Sequence, residues 1–433
     1  MLNTIAHRVV PCVLTTTAAT ATLQLYKEAS TTPCDEIIFL TKLIEKSKHK
    51  ALSAYKQDQT LQDEAKILQH AACKCATNIK GRQFQALYAL ATHNLQAARK
   101  ATLQAQEILA QTGILSSRLA QIRILIHTNP IGSPTLVSTT KSTNLAGYAS
   151  GINDYCTIKA TFPQGKFGLC SEARPGKEGI TWAVSNLDKV DKLRLTDDKH
   201  LANAERTVKV LVGGTASSAS TTGAIPGFCH SGTGIASAGT NPLGTTDLDT
   251  PYNTYTITEI SIGKTGKAQA ACTTDLGDEQ YGSKTHTVTA KQTAQAICKL
   301  RDIKIPVVTS IGDETAEKLQ QSEHMQQIAD LILKGEEPKG QTGDKQKESV
   351  KNLFGDLKGS VSDKLLKPLA TAEIQYTLKG DTKKHKVGTD SNTETVHYAA
   401  AACYHNQLKE MQERIEISIL QQKKDEDCAD KKR

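Results

Sequence analysis

A chain of 433 residues permits roughly two to four domains or one composite one. Hydrophobic residues make up 38% but aromatics only 4%, with a single tryptophan, Trp182, so the core is Ala-rich and narrow, unlike that of a compact enzyme. The net charge of +8 is spread along the sequence, its densest basic run being Lys431, Lys432 and Arg433, and no basic stripe or stacking aromatics point to nucleic acid.

Residues 1–21 read as a signal peptide. Arg8 supplies the positive start, "VVPCVL" a short apolar stretch, and Ala19-Thr20-Ala21 a small-residue cleavage pattern. Cleavage there removes Cys12 and leaves ten of the eleven cysteines: 34, 73, 75, 156, 170, 229, 272, 298, 403 and 428. An even count without a metal pattern suits a secreted, oxidised chain. No stretch reaches the ~18 apolar residues of a membrane span. None of the thirteen asparagines begins an N-x-S/T sequon, so secretion gains no support from that side.

Residues 22–129 read as a helical hairpin. Thr32 is an N-cap, Pro33 sits at the first helical position, and Asp35 and Glu36 face the positive end of the helix dipole. Ile37, Leu40, Ile44, Leu52, Tyr55, Leu61, Ala65, Leu68 and Ala72 then recur mostly in steps of three and four. Gly81 is expected to break this helix. A second pattern runs from Phe84 to Leu125 and stops at "HTNPIGSP". Two helices of about 46 residues, each roughly 70 Å long, joined by a short turn, make an antiparallel coiled coil.

Residues 130–306 form a Gly/Ser/Thr-rich head. "GITWAV", "TVKVLV", "TYTITEISI" and "THTVTA" read as short strands, and five cysteines fall here: 156, 170, 229, 272 and 298. Of the 28 residues in 213–240, 22 are Gly, Ser, Thr or Ala, which predicts an exposed loop. Residues 307–424 return to helical patterning. "GDETAEKLQQSEHMQQIADLILKG" reads as one helix stopped by Gly335. Val350, Leu353, Leu357 and Val361 share a face that Gly355 and Gly359 weaken. A long helix over 394–424 carries Val396, Ala400, Cys403, Met411, Ile415 and Ile419, a stripe able to lie along the hairpin. Residues 425–433 read as the start of a linker to a further module. The fold class is thus mainly α: a long hairpin, additional helices and an irregular, disulfide-stapled α+β head, with 22–424 as one elongated domain.

"QHAACKCATNIKG", residues 69–81, tests for a metal. Positions i and i+2 of a helix point about 200° apart, so Cys73 and Cys75 neither clamp one ion nor bond each other. His70 and Cys73 share a face, but two ligands do not close a tetrahedral zinc site. Separate disulfides to other segments are expected, with Cys403 a candidate partner; a metal site and free thiols are the alternatives. Elsewhere, "GKT" at 263–265 lacks the first glycine of a phosphate loop, Thr258 standing in its place. "GTGIASAG" at 232–239 has its third glycine displaced. His397, Cys403 and His405 share one helix without forming a ligand set. No H-E-x-x-H or G-x-S-x-G occurs. No catalytic residue, cofactor or metal is expected.

A weak signal, Cys34 about a dozen residues into the mature chain, a long helical hairpin, and a cysteine-bearing head with "DYCTIKA" and "GLC" come in a familiar order. With the later helices and a cysteine near the end, this resembles the A-type amino-terminal domain of trypanosome variant surface glycoproteins across essentially the whole chain. The resemblance implies an elongated homodimer, packed among neighbouring coat copies, with loops turned outward to host antibodies. It implies a carboxy-terminal domain and a lipid (GPI) anchor at the plasma membrane, neither present in these residues. It also implies head disulfides Cys34–Cys170 and Cys156–Cys229; Cys73, Cys75, Cys272, Cys298 and Cys403 lie beyond that pattern.

Three functions compete on this reading. A coat antigen predicts a hydrophilic tip and no deep pocket. A surface receptor on the same scaffold predicts an apolar patch on the head. A secreted enzyme predicts a pocket of perturbed titratable groups.

Overall fold

The computed structural model describes residues 26, 28–76, 78–128, 135–138, 142–143, 154–155, 158–161, 170, 177–202, 209–213, 244–249, 255–262, 287–336, 343–355, 359–391 and 393–430. The chain divides into two compact units, each assembled from two stretches: Met1–Lys48 with Ile108–Ile303, and His49–Glu107 with Lys304–Arg433. The division falls inside both long helices, α1 (Pro33–Lys74, 42 residues) and α2 (Ile79–Thr128, 50 residues).

Helix α1 starts as its residues dictate. Asp35, at the third helical position, turns back so that its carboxylate accepts the N–H groups of Thr31 (3.0 Å) and Thr32 (2.9 Å). The N–H groups of the two residues just before the helix are thereby satisfied. The break between α1 and α2 falls at 75–78 and not at Gly81, which corrects the sequence expectation. Asn78 caps α2, its side-chain oxygen accepting the Gly81 N–H at 3.2 Å. Gly81 is required for space: a Cβ there would stand 2.1 Å from the Cys75 carbonyl oxygen. We expect Gly81→Ala to cost about 1–3 kcal/mol by forcing this turn apart. Urea denaturation measures it, and an unchanged midpoint would show that the turn gives way freely.

In the first unit, the described strands pair only in twos. β1 (Thr135–Ser138) pairs antiparallel with β4 (Ile158–Thr161), and β2 (Ser142–Thr143) with β3 (Asp154–Tyr155). "GITWAV" lies in a helix, α3 (Glu178–Ser185), where a strand was expected. Its Ile180, Ala183 and Val184 are buried at a spacing of three and four, and that packed stripe overrides β propensity. β5 (Lys192–Thr196) follows, then a short α4 (Lys199–Ala202). β6 (Lys209–Gly213) pairs antiparallel with β7 (Gly244–Asp249), and β5 with β8 (Ile257–Ser261). The described part of "THTVTA", residues 287–290, is no strand either. Thr289 caps α5 (Ala290–Asp302): its hydroxyl accepts the Gln292 N–H and the Gln292 side chain accepts the Thr289 N–H. That is a capping box.

Arg118 of α2 ties this unit together. It is fully buried. Its Nε donates to Glu36 Oε1 at 2.9 Å, and its terminal nitrogens donate to Asp198 Oδ1 (2.7 Å), the Val288 carbonyl (3.0 Å) and the Thr196 carbonyl. The other Glu36 oxygen accepts the Thr196 N–H at 2.6 Å. Asp198 also accepts the Ala290 N–H, at the start of α5. One guanidinium therefore joins α1, β5 and α5, each of its three nitrogens donating in a charge-assisted or backbone bond.

The second unit has a continuous core. Ala65, Leu68 and Ala72 of α1 and Phe84, Leu87 and Leu90 of α2 are buried with residues of the later helices. The single helix expected after 311 is two, α6 (Ala316–Gln321) and α7 (Glu323–Lys334), each with its own hydroxyl cap, Thr315 and Ser322. Gly335 stops α7 in the left-handed conformation at φ 78°, as expected. α8 (Gly343–Phe354) follows, then a hairpin of β9 (Glu373–Leu378) and β10 (Asp381–Lys386). Glu64 of α1 is almost fully buried and holds the turn before α6, accepting from Ser310 Oγ and from the Ile311 and Gly312 N–H groups. Burial pushes its carboxyl above the ordinary range, while these three bonds oppose the rise.

α9 (Val396–Asp430) departs from expectation. Ala399 and Cys403 are buried, but Met411, Ile415 and Ile419 are 58%, 57% and 46% exposed. That part of the stripe packs on none of the described residues. From Leu408 to Lys423 every residue is exposed, so the core takes only the start of the helix, through Ala399 and Cys403.

Candidate functional site

Disulfides are the most specific chemistry among the described residues. Cys34, in the first turn of α1, is bonded to Cys170 within the first unit. Cys73, near the end of α1, is bonded to Cys403 of α9 within the second. Cys298, fully buried in α5, is disulfide-bonded as well. Cys75 is a free thiol, which corrects the expectation of a disulfide there. The single Cys403 sulfur is taken by Cys73, and the residue two positions on points to another side of the helix. Burial pushes the Cys75 thiol up, with Lys80 and Lys74 opposing, so it stays protonated and unreactive. Cys12, Cys156, Cys229 and Cys272 lie outside the described residues, as do the side chain of Cys428, the signal segment and the motifs at 232–239 and 263–265.

His70 meets a partner that sequence spacing does not reveal, His385 of β10. Both rings are buried, at 3% and 0% exposure. They share a hydrogen bond between His385 Nε2 and His70 Nδ1 of 3.1 Å and meet edge to face. The other nitrogen of His385, Nδ1, is buried with no protein partner. Burial lowers the His70 pKa to about 4, with a smaller contribution from His385. Burial lowers that of His385 too, opposed by the carboxylate of Asp390. Both rings are therefore neutral at pH 7, and the pair is a packing element.

A pH dependence follows with a definite sign. An unfolded imidazole takes up its proton near pH 6.5. Below that pH the unfolded chain binds more protons than the folded one, so stability falls as the pH drops towards 4. The full contribution is present above pH 6.5, and about 3 kcal/mol is lost by pH 4 through His70 alone. Thermal melts from pH 7.5 to 4 measure this. A double replacement, His70→Leu with His385→Leu, is expected to flatten the slope, since removing both partners leaves no orphan. An unchanged slope would assign the acid loss to other groups.

No group of three or more His, Cys, Asp or Glu able to hold a metal occurs among the described residues. His397 and His405 are both exposed, and Cys403 beside them is consumed by its disulfide. The described cavities are shallow grooves. One of about 530 Å³ in the first unit lies over Ile44, Leu119 and Ile124, flanked by Lys48 and Arg123. Another of about 400 Å³ in the second unit lies between Leu90, Asn94 and Ala97 of α2 and residues 306–322. Among the described residues no helix is long and apolar enough to cross a membrane.

No protein-family model matches the chain, and no curated protein matches it. Solved structures do. A structure of the variant surface glycoprotein VSGsur with suramin bound aligns over 87% of this chain and 98% of its own, with a TM-score of 0.67 at 18% identity. A structure of VSGsur by itself covers the same shares with a TM-score of 0.61. At this identity the likeness is one of backbone architecture, and it spans both units and nearly the whole of the relative. The chain has the fold of a variant surface glycoprotein.

Proposed function

We propose that the chain is a trypanosome surface coat protein that shields the cell, mediates antigenic variation and immune evasion, and carries out no catalysis. One observation carries this: the variant surface glycoprotein fold covers 87% of the chain and 98% of the relative. The physics of the fold agrees. Two helices of 42 and 50 residues supply length from few residues. Disulfides stand in for a large local core, so side chains at the surface can vary without unfolding the rest. In this reading residues 1–21 are removed on secretion. A glycosylphosphatidylinositol anchor holds the protein at the outer face of the plasma membrane, among neighbouring copies and facing host antibodies.

The reading includes a homodimer. Tyr404, Leu408, Met411, Ile415 and Ile419 stand exposed at steps of three and four on α9, the spacing of a coiled-coil seam. A second copy is their proposed occupant. Light scattering is expected to give two chains per particle, and Met411→Glu with Ile415→Glu to give one. A monomer in the unsubstituted protein would remove the dimer from the account. The coat role is tested by making this the sole expressed coat protein of a bloodstream trypanosome. Normal growth supports it, and arrest with an uncoated surface opposes it.

A second reading, a surface receptor on the same scaffold, has one observation in its favour: a protein of this fold has been captured with suramin. In this chain the Lys48 and Arg123 groove is where an amphipathic anion would sit. Calorimetry with suramin decides. Saturable binding lost in Lys48→Glu with Arg123→Glu favours a receptor, and no binding leaves the coat role alone.

A further inference from the structure

His93 of α2 and His324 in the first turn of α7 come from separate elements, and their ring centroids are 3.8 Å apart with planes 41° apart. The backbone under each is fixed. Ala91 and Leu90, just before His93, and Met325, just after His324, are buried in the same core. Both imidazoles emerge at its edge and are exposed. Neither ring forms a hydrogen bond to another of the described residues, so its nitrogens face solvent. Tetrahedral zinc with Zn–N bonds of about 2 Å would hold two ring centroids roughly 5 Å apart, so an opening of about 1 Å between two exposed side chains suffices.

We propose that His93 and His324 form a two-imidazole clamp for a late first-row divalent metal ion such as Zn²⁺, Ni²⁺ or Cu²⁺, the ions that imidazole nitrogen suits. Ligation needs neutral rings. Glu323 beside His324 offsets the positive end of α7. Among the described residues no third His, Cys, Asp or Glu completes the set, so water fills the remaining positions and the ion exchanges. Such an ion links α2 to α7 and differs in this from a closed structural zinc site.

The test uses the untagged full chain, stripped with chelator and titrated with ZnCl₂ or NiCl₂ at pH 7.5 in a calorimeter. His93→Asn and His324→Asn, both exposed and tolerant changes, are compared with a control, His405→Asn. The expected result is one site per chain, weakened at least tenfold by either clamp substitution and unchanged in the control. Metal should also raise the melting temperature of the unsubstituted protein and of the control only. Absent binding at millimolar metal, a loss under tenfold in either clamp variant, or a loss in the control would each overturn the proposal.

Discussion

Arg118→Met is expected to lower the stability of the first unit by about 3–5 kcal/mol, the largest effect of any single substitution considered. The reason is what is left behind. Glu36 is 1% exposed, and its carboxylate receives the guanidinium and one backbone N–H. Without Arg118 that charge stays in the interior with only the Thr196 N–H to meet it. The carbonyls of Thr196 and Val288 lose their donor at the same time. Asp198 is less affected, because its side chain is 38% exposed and keeps the Ala290 N–H. Arg118→Lys should recover only part, since an ammonium cannot present the same planar fork. The double variant Arg118→Met with Glu36→Leu should be more stable than Arg118→Met alone, because it removes the unpaired charge. Urea titrations of the four proteins measure this. A loss under 1 kcal/mol for Arg118→Met would mean that water reaches Glu36 and the network is peripheral.

Cys403→Ser is expected to cost the second unit about 2–5 kcal/mol. Its bond to Cys73 joins residues 330 positions apart, so it restricts a very large part of the unfolded chain. Cys403, not Cys73, is the residue to change. In Cys73→Ser two thiols, Cys75 and Cys403, remain in the unfolded chain and can be oxidised to each other outside the folded geometry, which would blur the reading. In Cys403→Ser both Cys73 and Cys75 become titratable thiols under denaturing conditions, against Cys75 alone of these three in the unsubstituted protein. Denaturant midpoints report the cost, and thiol titration confirms the bond that was removed. Equal midpoints in the two proteins would show that helix packing alone holds α9 in place.

The helices were legible because their signals are local and repeated. Thr32, Pro33 and Asp35 announce the start of α1, and apolar steps of three and four carry it for ten turns. Other features were legible only in part. The T-x-x-Q box at Thr289 marks α5 in the sequence, yet the Thr- and Val-rich run before it reads as strand. Ser322 splits an otherwise continuous helical pattern, and a mid-pattern serine carries no sign that it caps instead of facing solvent. What pairs across long separations was not legible. Nothing near Glu36 names Arg118, 82 residues away, and nothing near His70 names His385, 315 residues away. Asp35 and Glu36 read equally as charges at the dipole of the helix, although Glu36 is also half of a buried ion pair. Cys73 and Cys75 differ only by two positions along α1, and the direction of Cys403 decides between them. The stripe of α9 had the right period, but period alone does not say how far along a helix the core extends, and here it ends after Cys403.

The central claim, that this chain is displayed on the outside of a trypanosome as part of its coat, is tested most directly on living cells. An antiserum raised against the folded chain would be applied to intact, unpermeabilised trypanosomes expressing the full-length gene, before and after phosphatidylinositol-specific phospholipase C. The account predicts uniform labelling of the whole surface that the lipase releases. Labelling only after permeabilisation, or surface labelling confined to a small patch and untouched by the lipase, would contradict it.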